Sequence, residues 1–182
     1  MAVKAKFGQA IFMGILTAFL YYDIGGKYDL VGVTNYSGCN FFLLVGQLMN
    51  WLFGSVLTFQ LERDVFLREQ ANKLYSPTAY FAAKNSIETF VAILSPLIQC
   101  LVLYWFIGYQ NSAGADWTYF FEVYLSMEFV AQCGMGIGLF ISCIAPNMVT
   151  ATSIAPAFTM PIVLFGGFIA NTDTIPSWLG WI

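Results

Sequence analysis

Four long stretches of the chain carry no charged residue: 7–22, 30–61, 89–115 and 129–172. A helix needs roughly 20 apolar residues to cross about 30 Å of hydrocarbon, so these stretches read as membrane spans rather than core elements of a water-soluble domain. The composition agrees. Only 9% of residues are charged and 59% are hydrophobic, with mean hydropathy +0.71, whereas soluble domains carry about 25% charge. Disorder and collagen-like repeats are excluded by the abundance of large apolar side chains. Net charge is −3, with no basic patch of the kind that binds nucleic acid.

The first stretch extends back past Lys4 and Lys6, whose side chains can reach polar surroundings, and no small-x-small cleavage site follows it. It therefore reads as a retained helix and not as a signal peptide. The next two predict helices over about Tyr36–Gln60 and Tyr80–Phe106. The last is too long for one crossing and divides at Ala145-Pro146-Asn147, a turn signal. Its halves predict helices over Trp117–Ile144 and Met148–Ala170. The expected fold is all-α: a transmembrane bundle of about five membrane helices with one short cytoplasmic amphipathic helix, in a single transmembrane domain over residues 1–182. Six of the seven basic residues flank the first helix or the 61–84 connection, Lys27 alone falling elsewhere. The excess of Lys and Arg on one side predicts a cytoplasmic N-terminus. Five crossings would leave Ile182 outside after Trp178 and Trp181, so the chain is expected to be a fragment lacking at least one span.

No histidine is present, which removes Ser-His-Asp and Cys-His catalysis and His-ligated metal sites. No catalytic or metal-ligating residue is assigned. Cys39, Cys100, Cys133 and Cys143 lie in apolar stretches and are expected to pack as small hydrophobes without disulfides. Ala10, Gly14 and Ala18, and likewise Gly134, Gly138 and Ser142, recur at four-residue spacing and predict close helix contacts. Glu128 falls near mid-membrane, where an ionised carboxylate costs a few kcal/mol. A buried hydrogen bond to a neighbouring helix is expected there, with proton sensing or substrate contact as the other readings. Asn35-Tyr36-Ser37 is a glycosylation sequon, but it abuts the membrane.

Segment 61–84 holds seven of the seventeen charges: Glu62, Arg63, Asp64, Arg68, Glu69, Lys73 and Lys84. Val65, Phe66, Glu69 and Lys73 recur at helical spacing, and Arg63, Asp64, Arg68 and Glu69 are placed for ion pairs. The segment predicts an amphipathic helix ended by Ser76-Pro77. Lys84 and Glu88 are spaced to pair. A solvated loop is the plainer reading of the same composition.

The residues themselves go further. Glu62-Arg63-Asp64-Val65-Phe66-Leu67-Arg68-Glu69, Tyr75 and Tyr80-Phe81-Ala82-Ala83-Lys84 closely resemble a signature of the ABC transporter G subfamily, the White/pigment and sterol-exporter group. Gly134-Met-Gly-Ile-Gly, Ala145-Pro146-Asn147, Phe165-Gly166-Gly167-Phe168 and Ile175-Pro176-Ser177-Trp178-Leu179-Gly180-Trp181 follow in the same order. The resemblance implies helices 1 to 5 of a six-helix domain that works as a homodimer or heterodimer with a cytoplasmic nucleotide-binding domain. No Gly-x-x-x-x-Gly-Lys-Ser/Thr is present, so ATP and Mg²⁺ are expected only in that domain, on the same or another chain. Glu62, Arg63, Phe66, Arg68, Glu69 and Tyr75 are carried over as the coupling region. Phe42, Gly46, Met49, Thr159, Met160 and Val163 are carried over as the substrate cavity, where side chains facing lipid or another helix is the plainer alternative. Phe168 and Ile169 are carried over as a plug above the cavity. Pro156 and Pro161 interrupt the fifth helix, as a functional bend or a static kink. The expected activity is the permease part of an ATP-driven exporter of lipids, sterols or other amphipathic molecules, by alternating access. The alternative is a truncated, non-transporting subunit that partners or regulates a full transporter. A channel would need a polar stripe, and none is read on the second or fifth helix.

Overall fold

The computed structural model describes residues 2–22, 24, 29–108 and 117–166. These residues form five helices: α1 (Ala2–Leu20), α2 (Leu30–Ala71), α3 (Pro77–Ile107), α4 (Trp117–Ile144) and α5 (Met148–Phe165). The fold is all-α. α2, α3 and α4 are long and apolar enough to cross a membrane; the apolar parts of α1 and α5, Lys6–Leu20 and Met148–Leu164, are shorter. The chain is an integral membrane protein.

One expectation changes shape. The amphipathic stretch 61–71 is helical, but it is the last third of α2 and not a separate element. Neither Gly nor Pro occurs between Ser55 and Ser76, so no residue forces a break where the charges begin. With 42 residues, α2 is about 63 Å long and projects well beyond a hydrocarbon core of about 30 Å. It ends in a Schellman turn, with Leu74 N–H donating to Glu69 O at 3.3 Å and Lys73 N–H to Gln70 O at 2.9 Å. Lys73 takes the left-handed position, φ 56°, that usually goes to Gly. Ser76 does not end this helix; it begins α3, its hydroxyl accepting from Ala79 N–H with Pro77 at the first turn. At the other turn, Asn147 caps α5 by accepting from Thr150 N–H at 2.8 Å.

Packing is organised around α2. It lies mainly against α4, while α1 lies mainly against α3, and α2 touches α3 only lightly. The predicted small residues make both seams. A Cβ built on Gly134 would lie 2.7 Å from Leu48 O, and one on Gly138 2.5 Å from Leu52 O. Ser142 then donates to Val56 O at 3.2 Å. Gly14 faces Gln99 and Val102 of α3, between the buried Ala10 and Ala18. Leu52, Val56, Ile141, Ala145, Ala151 and Ala155 form one core, and Cys39, Leu43, Cys100, Leu103, Ile107, Phe120 and Met127 belong to another. Cys133 and Cys143 depart from expectation: both are exposed on α4 and pack in neither core.

One polar prediction is also corrected. Glu128 finds its partner on its own helix, where Gln132 Nε2 donates to it at 2.7 Å, and its other oxygen is buried with no partner among the described residues. Pro156 and Pro161 lie within α5, which continues through both. Each still deprives the carbonyl four residues earlier of its donor. Pro96 does the same inside α3, and in the adjoining turn Ile93 O accepts from Tyr124 of α4 at 3.2 Å.

Candidate functional site

Helical spacing puts Phe42, Gly46 and Met49 on one face of α2, and the structure opens that face as a groove of about 470 Å³. α4 covers the opposite side of α2 through Leu48 and Leu52. The facing wall of the groove comes from α1, with Gln9, Met13 and Thr17, and its floor from Gln47 and Gln99. Gln47 Nε2 donates to Gln99 Oε1 at 2.6 Å, while Gln47 Oε1 is buried with no partner among the described residues. Asn50 lies beside Met49 on the rim. The groove is therefore mixed, apolar on its flanks and amide-lined below. The second helix thus contributes two amides, Gln47 and Asn50, to a face that is otherwise apolar. At Gly46 an added Cβ would meet nothing within 4 Å.

The fifth helix does not join this groove within one chain. Thr159 is buried, 1% exposed, and its hydroxyl donates to Pro156 O at 3.3 Å. Met160 is 60% exposed, and Val163 is half-buried. Phe168 and Ile169 lie outside the described residues.

The coupling residues gather at the far end of α2. Arg63 donates to Ala145 O at 2.9 Å and Pro146 O at 2.7 Å, and Gln60 Nε2 to Ser142 O at 2.9 Å. These are orphan carbonyls at the C-terminal end of α4, so two side chains of α2 hold the α4–α5 elbow through bonds that its own helix cannot supply. Glu62 accepts from Tyr80 at 2.9 Å and from Lys84, which also meets Glu88 at the expected spacing, 3.5 Å. Phe66, Tyr75 and Tyr80 form an aromatic cluster, Phe66 and Tyr80 centred 4.6 Å apart and the two tyrosines stacked at 5.9 Å. Glu69 accepts from Tyr75 at 2.6 Å. That bond holds the phenol proton and pushes its pKa up to about 12. The expected pairs among Arg63, Asp64, Arg68 and Glu69 are not formed. Arg63 and Glu69 are engaged elsewhere, and Arg68 is exposed with no ion pair among the described residues.

The ABC-2 type transporter family profile matches residues 1–182. The chain belongs to that family. Its relatives are members of the G subfamily, in which this chain is a transmembrane domain. It is 28% identical over its full length to ABC transporter G family member 1 of Dictyostelium discoideum, covering 23% of that protein. It is 29% identical over 99% of its length to Protein white of Drosophila melanogaster, covering 25%. It is 27% identical over its full length to the broad substrate specificity ATP-binding cassette transporter ABCG2 of Mus musculus, covering 27%. The chain thus spans about a quarter of the length of these relatives.

The hold of α2 on the α4–α5 elbow was only partly legible from the residues. The charged residues were found, but backbone carbonyls carry no sequence signal, so the partners of Arg63 and Gln60 were not.

Proposed function

We propose that this ABC-2 domain is the permease part of an ATP-driven exporter, moving lipids, sterols or other amphipathic molecules by alternating access as a homodimer or heterodimer. The observation that carries the reading is the open groove on α2, apolar at Phe42 and Met49 and amide-lined at Gln47, Asn50 and Gln99. An amphipathic guest needs both kinds of contact: apolar area that can re-pack, and fixed polar partners that orient it. In a dimer, the groove would be completed by the second subunit, whose α5 supplies Thr159, Met160 and Val163. ATP and Mg²⁺ belong to a nucleotide-binding domain on the same or another polypeptide.

Asp64 and Arg68 are exposed charges in the last turns of α2, with Lys73 exposed just beyond its end, and we assign Asp64 and Arg68 to the contact with that domain. A push received there passes through Arg63 and Gln60 to the α4–α5 elbow. The N-terminal end of α1 sits at the same end of the bundle, since Lys6 shares a cleft with Glu62 and Lys84. Six of the seven basic residues thus gather there, which favours a cytoplasmic placement.

The test uses the full-length protein in proteoliposomes. At Gly46 a Cβ meets nothing within 4 Å, so Gly46→Trp projects an indole into the groove, and transport is expected to fall at least tenfold while Tm holds. Unchanged transport of every amphipathic substrate tried would overturn the groove assignment. Arg68→Ala is expected to keep Tm and membrane insertion but to uncouple ATP hydrolysis from transport. Intact substrate-stimulated ATPase with intact transport would remove Arg68 from the coupling contact.

A further inference from the structure

A second cleft, of about 370 Å³, opens at the basic end of the bundle between α1, α2 and α3. Its charged residues are Lys6, Glu62, Lys84 and Glu88, and its apolar wall includes Ile87 and Val91. The four charges sum to zero, but they are not all matched. Lys84 bonds Glu62 and also meets one oxygen of Glu88. The other Glu88 oxygen is buried with no partner among the described residues. Lys6 forms no ion pair among them; its ammonium lies 4.1 Å over the ring of Trp51. One buried acceptor therefore lacks a donor, and a cation within the field of Glu88 makes no direct ion pair, in the same cleft; a buried acceptor without a donor is costly.

We propose that this cleft binds the headgroup of a zwitterionic phospholipid with a primary amine, of the phosphatidylethanolamine type. The lipid ammonium donates to the free oxygen of Glu88, and the phosphate pairs with Lys6. A glycerol headgroup offers Glu88 only neutral hydroxyls, which bond a carboxylate more weakly than an ammonium does. A quaternary choline has no N–H to donate. The site lies where α3 passes from its charged first turns into its charge-free stretch, the depth of a headgroup. Exposed Ile87 and Phe90 on α3 continue from it as an apolar track for an acyl chain. The inference rests on the chain spanning a bilayer and needs neither transport nor ATP, so its failure is separate from failure of the exporter reading.

The experiment purifies the full-length protein from nanodiscs of mixed phosphatidylcholine, phosphatidylethanolamine and phosphatidylglycerol, and quantifies the retained lipid by mass spectrometry. Phosphatidylethanolamine is expected about tenfold enriched over its bulk fraction, the scale of one charge-assisted hydrogen bond. Glu88→Gln should return it to the bulk ratio, and Glu122→Gln, on α4 away from the cleft, should not. If Glu88→Gln fails to fold, the wild-type protein still decides. Mono- and dimethylated phosphatidylethanolamine should be retained progressively less as N–H donors are removed, down to phosphatidylcholine. Enrichment of phosphatidylglycerol, no enrichment, or equal retention across the methylation series would overturn the proposal.

Discussion

Gly138 and Gly46 sit on helices that pack together, yet they meet opposite surroundings. A Cβ at Gly138 would lie 2.5 Å from the carbonyl oxygen of Leu52; a Cβ at Gly46 would have nothing within 4 Å. One glycine is small because another backbone occupies the space. The other is small where space is left free. The α2–α4 seam is therefore closed by backbone against backbone, and the groove lies on the uncovered side of the same α2. Lipid tails are as apolar as the helices, so close van der Waals approach is what holds such a seam together.

The sharpest way to break this contrast is Gly138→Val. Its side chain would be driven into the α2 backbone, and a loss of about 3 kcal/mol is expected. Thermal unfolding in detergent should show Tm lower by roughly 10 °C, and an unchanged Tm would mean that the seam is looser than described. Arg63→Met tests the end of the seam. The Ala145 and Pro146 carbonyls would lose their charged donor, for about 2 kcal/mol. Hydrogen exchange at the start of α5 should rise, and unaltered protection there would show that the elbow holds without Arg63. Gly136→Ala is the smallest expected effect. Gly136 belongs to the same Gly-Met-Gly-Ile-Gly stretch but meets nothing within 4 Å. Alanine should be neutral or stabilise by up to about 1 kcal/mol, and a clear fall in Tm would erase the distinction between contact and open glycines.

Much of this contrast was legible in the sequence. α4 begins and ends where the charge pattern and Ala145-Pro146-Asn147 place it, because a proline turn is a strong local stop. The four-residue spacing of Gly134, Gly138 and Ser142 marked the seam, and the spacing of Phe42, Gly46 and Met49 marked the open face. The second wall of the groove was not legible. Gln9 and Thr17 reach it only because α1 packs on α3, a pairing that no spacing encodes. The continuity of α2 was misread because a jump in polarity resembles an element boundary. Polarity reports the solvent around a helix and not where its backbone hydrogen bonds stop. The predicted ion pairs failed for a related reason: Arg63 is taken by two backbone carbonyls, which the residue pattern does not display.

The unbroken length of α2 has a mechanical consequence. With no joint between Leu30 and Ala71, this helix is a lever about 63 Å long, and its fulcrum is set by whatever grips it along the way. A tilt of about 5° would carry one tip roughly 5 Å relative to the other. The glycine seam grips it over Leu48 and Leu52, near the middle. Force applied beyond Arg63 would therefore swing the opposite arm, the one that carries Phe42, in the reverse direction.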